Sequence, residues 1–77
     1  MNNIKETFRL LSNKQIIELI DAYIRREDYR KILKDRMTKG YTYSQLASIY
    51  GFSEKQIKNI VYKSENVIYN VINSNLP

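Results

Sequence analysis

Residues Thr42 to Tyr62 read TYSQLASIYGFSEKQIKNIVY, and this stretch decides the fold. Thr42-Tyr43-Ser44-Gln45 sets a hydroxyl residue three positions ahead of Gln, the capping-box spacing that satisfies the first amides of a helix. Ser53-Glu54-Lys55-Gln56 repeats the pattern. Leu46, Ala47 and Tyr50 share the inner face of the first helix so begun, and Ile57, Ile60 and Val61 that of the second. Gly51 sits at the turn, where a positive φ is commonly needed, and Phe52 is placed to plug the turn into the core. Ala47 stands where the two helices cross, because a small side chain permits close approach. The register is Ala, three residues, Gly, five residues, Ile, two residues, Ile. It predicts a helix-turn-helix over residues 42–63.

The rest of the chain also reads as helix. Only two glycines and a terminal proline punctuate it, and strand-like alternation is absent. A first helix is predicted from Ile4 to Leu11, capped by Asn3 with Glu6 at the capping-box position, burying Ile4, Phe8 and Leu11. Ser12 stops it and Asn13 caps a second helix, about Lys14 to Arg26, with Ile16, Ile17, Ile20, Tyr23 and Ile24 inward. Asp28 caps a third helix to about Thr38, with Tyr29, Ile32, Leu33 and Met37 inward, and Gly40 ends it. The second and third can also be read as one long helix with a bend. The expectation is an all-α bundle of about five helices in one domain: supporting helices over 1–40, the helix-turn-helix over 42–63, and a helical extension over 64–77.

At 77 residues the chain supports only a thin core. It lacks Cys and His, so a Zn²⁺ site would need carboxylates alone, and no metal or cofactor is expected. Its carboxylates are scattered among cations, and no Ser or Thr has a base beside it, so a non-enzyme is expected. No segment approaches the roughly 20 apolar residues of a membrane span. Met1 to Leu11, with Lys5, Glu6 and Arg9, does not read as a signal peptide. Absence of Cys fits a reducing cytoplasm. Thirteen Lys and Arg against eight Asp and Glu give a net charge of +5, which suits a polyanion such as DNA or RNA.

A helix from Ser53 that buries Ile57, Ile60 and Val61 displays Ser53, Glu54, Lys55, Lys58, Asn59 and Tyr62, with Lys63 beside them. A B-DNA major groove admits such a helix. Lys55 or Lys58 can donate to guanine, Asn59 can pair bidentately with adenine, and Glu54 can accept from cytosine or exclude wrong sites. Ser53 is either a phosphate contact or simply the cap. Tyr62 is either a phosphate or sugar contact or a partly buried ring. Lys39, Tyr43 and Ser44, at the entrance to the first helix of the motif, are candidate phosphate contacts. A second basic set, Arg25, Arg26, Arg30, Lys34, Arg36 and Lys39, is diluted by Glu27, Asp28 and Asp35.

Arg30 to Tyr62 resembles the fourth region of bacterial sigma factors through Leu33, Arg36, Gly40-Tyr41-Thr42-Tyr43, Leu46-Ala47, Gly51-Phe52-Ser53 and Ile57. It is also similar to the sigma-region-4-like proteins of small phage and mobile-element regulators in low-GC Gram-positive bacteria, above all over Gln56 to Lys63. Leu46 stands where many of those proteins carry Ile. The resemblance covers a little under half the chain. It implies a second motif helix in the DNA major groove, a role in transcription, and RNA polymerase as a further partner. The polymerase-binding regions of a full sigma factor have no room here, which leaves a promoter-binding or accessory role. Two other readings stay open: a protein-binding module reusing the fold, such as an anti-repressor or an inhibitor of a host complex, and a DNA packaging or recombination accessory protein.

Beyond Lys63 an apolar stripe continues through Val67, Ile68, Val71 and Ile72. It either folds back on Ile4, Phe8 and Leu11 or pairs with a second copy. The homodimer is the favoured expectation, and it would place two recognition helices on a palindromic site.

Overall fold

A computed structural model describes residues 4–74, with side chains from Glu6 onward. Among the described residues there are five helices and no strand: α1 Ile4–Arg9, α2 Asn13–Tyr23, α3 Glu27–Thr38, α4 Tyr43–Tyr50 and α5 Glu54–Ser74. None of these helices is long and apolar enough to cross a membrane.

Local chemistry sets most of the boundaries. Helix α1 stops two residues short of Leu11. Its last turn tightens, with Leu10 and Leu11 amides donating to the carbonyls of Thr7 and Phe8. Asn3, the expected cap of α1, and the side chain of Ile4 lie outside the described residues. Ser12, not Asn13, caps α2. Its Oγ accepts from the Gln15 amide at 3.1 Å, and its own amide donates to Gln15 Oε1 at 2.9 Å. This third capping box was present in the sequence, hidden behind the competing Asn13.

Helix α2 ends at Tyr23, three residues earlier than expected. Ile24 and Arg26 take extended backbone angles, so α2 and α3 are two helices rather than one with a bend. The Arg30 guanidinium holds that break, donating to the carbonyls of Ile24 at 2.9 Å and Arg25 at 2.6 Å. Because the break falls there, Asp28 is not a cap. Arg26 occupies the cap position, and Asp28 lies inside the first turn of α3 with Glu27. Acidic side chains there suit the positive end of the helix dipole.

The core joins all five helices. Ile20, Ile32, Leu33, Leu46 and Ile57 have no exposed surface, and Phe8, Ile16, Ile24, Ile60, Val61 and Ile68 are buried around them. Each such Leu or Ile contributes roughly 1.5–3 kcal/mol by leaving water, which a thin core requires. Leu11, Tyr29, Met37, Ala47, Tyr50 and Phe52 pack partly buried against it. Tyr23 departs from expectation: it lies at the end of α2 and is 45% exposed.

The turn between α4 and α5 forms as its residues require. Thr42 and Gln45 exchange hydrogen bonds at 2.8 and 3.1 Å, and Ser53 and Gln56 do the same. Gly51 has φ 75, and its amide and that of Phe52 both donate to the Ala47 carbonyl. A Cβ on Gly51 would meet nothing within 4 Å. The glycine is therefore needed for its backbone angle and not for space.

Helix α5 runs unbroken for 21 residues, about 32 Å at 1.5 Å per residue. Its first half carries the candidate recognition face and its second half braces α1 and α2. Ile68 is buried in the chain's own core and Ile72 packs against it, so these two positions fold back as one alternative foresaw. Val71 is half-buried, and Val67 alone of the stripe stands open to solvent.

Candidate nucleic-acid interface

The capping box at Ser53 fixes where α5 starts, and the three buried side chains Ile57, Ile60 and Val61 fix how it is rotated. With those turned inward, Ser53, Glu54, Lys55, Lys58, Asn59, Tyr62 and Lys63 are all exposed. Tyr62 is 70% exposed, which removes the alternative of a partly buried ring. Ser53 Oγ is engaged as a cap, and its hydroxyl proton can still be donated.

Three helices converge beside this face. Tyr43, the first residue of α4, is half-buried. The Arg36 guanidinium lies 4.2 Å from the centre of its ring and Lys58 Nζ lies 5.7 Å away. Both cations are within the range at which an aromatic ring attracts positive charge. Arg36 also donates to the Tyr41 carbonyl at 2.8 Å, tying the end of α3 to the link before α4. The ring thus holds a charge from α3 and a charge from α5 beside the N-terminus of α4. Ser44 is exposed one residue further on.

Lys39 is placed differently. Its Nζ lies 3.3 Å from Asp35 and 5.8 Å from the Tyr41 ring, so its charge is already partly met within the chain. Asp35 also accepts from the Tyr50 hydroxyl at 2.5 Å, which joins α3 to α4. Burial, and then that hydrogen bond to a carboxylate, push the Tyr50 phenol up to about 12.

Most of the other upstream cations are also occupied. Arg26 forks onto Asp28 at 2.9 and 3.1 Å, and this bond raises its pKa above the usual guanidinium value. Lys31 lies 3.6 Å from Glu27, and Lys34 lies 2.6 Å from Asp21 of α2. Among the described residues, Lys55, Lys58 and Lys63 form no ion pair. The face on α5 can therefore offer three unneutralised ammonium groups and the Asn59 amide to an anionic, hydrogen-bonding partner.

Sequence reasoning located the α5 face and missed the side chains that organise it. The Asp35–Tyr50 bond spans 15 residues and the Arg36–Tyr43–Lys58 cluster spans three helices. No spacing rule along the chain reports either. No family model, curated protein or solved structure matches this chain.

Proposed function

We propose that this chain is a sequence-specific duplex DNA-binding regulator in which α4 and α5 act as a helix-turn-helix and the first half of α5 enters the major groove. The observation that carries the reading is the set Lys55, Lys58 and Lys63, without an ion-pair partner among the described residues, beside Asn59 on one exposed face, while the cations on and around α3 are met by carboxylates or backbone carbonyls. A protein-binding surface would more naturally place apolar residues there, and Tyr62 is the single large apolar ring on it.

Lys55 and Lys58 donate to guanine O6 and N7, and Asn59 takes the bidentate pair with adenine. Glu54 accepts from cytosine or penalises wrong sites. Ser53, Tyr62, Lys63, Tyr43 and Ser44 hold phosphates, with Arg36 joining them through Tyr43. Lys39 contributes least, since Asp35 already meets its charge. The resemblance to sigma factor region 4 supports a transcriptional role of phage or mobile-element type in the cytoplasm, with RNA polymerase within reach. Such a role requires no catalysis and no cofactor.

The test is a salt titration of binding to duplex DNA. Each phosphate contact adds about 0.9 to the slope of log affinity against log salt, so several contacts cost orders of magnitude between low and moderate salt. A steep slope is expected. Absence of duplex binding, or binding indifferent to salt, overturns the reading.

A further inference from the structure

A second face carries different chemistry. Tyr23 at the end of α2 is 45% exposed and Val67 on α5 is 43% exposed, although the same helices bury Ile16, Ile20, Ile57, Ile60, Val61 and Ile68. Between the two lies an open slot of about 230 Å³ walled by Tyr23, Ile24, Tyr29 and Val67. Arg25, Arg26 and Lys63 border it. The Arg26 guanidinium is held by Asp28 and stacked 4.3 Å from the Tyr29 ring, so it acts as a fixed wall. Arg25 and Lys63 form no ion pair among the described residues.

We propose that this slot between α2 and α5 docks an acidic polypeptide segment, which seats an apolar side chain against Tyr23 and Val67 and sets carboxylates against Arg25 and Lys63. Charge selects this occupant over a second copy of the chain. A symmetric dimer presents the same patch from both sides, which would bring Arg25 and Lys63 against their own counterparts. Apolarity selects it over nucleic acid, because a phosphate gains nothing from Tyr and Val surface while a buried aliphatic or aromatic anchor does. Lys55, Lys58 and Asn59 lie outside the slot and Lys63 alone borders both faces, so the segment and DNA can be held together with Lys63 serving one of them at a time.

A displayed library of random short peptides, selected on the intact protein, tests this. The expected winners combine Asp or Glu with a Phe, Leu or Trp anchor. A synthetic copy of the leading peptide shifts the amide resonances of Tyr23, Lys63 and Val67. It binds at least about tenfold more weakly to Val67→Glu and to Arg25→Glu, both surface changes whose melting temperatures confirm the fold. Val67→Ala, which leaves the charge beside Lys63 unaltered, weakens peptide binding and retains duplex DNA unchanged, which separates this proposal from the DNA reading. No enrichment, winners without acidic bias, shifts confined to Lys55, Lys58 and Asn59, displacement of the peptide by duplex DNA, or a dimer that occludes the slot would each overturn it.

Discussion

Helices α3 and α5 both carry cations and use them in opposite ways. Around α3, Arg26, Lys31, Lys34 and Lys39 each face a carboxylate, and Arg30 and Arg36 donate to backbone carbonyls. On α5, Lys55, Lys58 and Lys63 have no ion-pair partner among the described residues. The cause is where the acids fall. Asp21, Glu27, Asp28 and Asp35 surround α3, whereas Glu54 is the one acid in the first half of α5. Basic residues on α3 build the fold, and those on α5 remain available to a partner.

The comparison breaks most directly through paired measurements of binding and stability. Lys58→Ala and Asn59→Ala should each weaken binding to a preferred duplex by about 1–3 kcal/mol, with melting changed by no more than about 0.5 kcal/mol, as for surface sites. Arg30→Ala should do the reverse. It strips donors from the Ile24 and Arg25 carbonyls and should cost about 1–3 kcal/mol of stability, read by denaturant unfolding, while folded protein still binds. If Arg30→Ala lost binding at full stability, the division between the two helices would be wrong.

A smaller effect sharpens the α3 side. Burial and the bond to Asp35 push the Tyr50 phenol up to about 12, from its usual value near 10. A raised folded pKa means the contribution is fully present below pH 10 and is lost as pH rises through 12. Tyr50→Phe should therefore be less stable than the parent at neutral pH, with the gap closing in that alkaline window. A gap constant across it would show that folding does not raise the Tyr50 phenol. The smallest effect belongs to Lys34→Ala. Its partner Asp21 is half-exposed, so loss of this pair should cost under about 1 kcal/mol by thermal melting and leave DNA affinity intact.

What could be read from the chain was local. The boxes at Thr42 and Ser53 and the turn at Gly51 each involve residues within four positions, so their chemistry is written in consecutive letters. The buried trio Ile57, Ile60 and Val61 follows from helical period, and with it the exposed face. Errors arose where a side chain beyond one helical turn, or a neighbouring helix, arbitrated. Asp28 looks like a cap until Arg30 is seen closing α2, and Tyr23 looks inward until α2 ends beneath it. The tail stripe shows the same limit. Val67 and Ile68 are adjacent and both apolar, and only the packing of α1 and α2 on α5 decides that one is open and the other buried. With Ile68 and Ile72 engaged internally, less apolar surface remains for a second copy than the stripe suggests.

The central claim is that the exposed face of α5 reads bases. Selection of binding sites from random duplex DNA, run in parallel with the parent chain and with Asn59→Ala, addresses it directly. The account predicts one enriched motif for the parent, and for Asn59→Ala a loss of preference at a single adenine position with the rest of the motif retained. An identical motif from both proteins, or no motif from the parent, would contradict it.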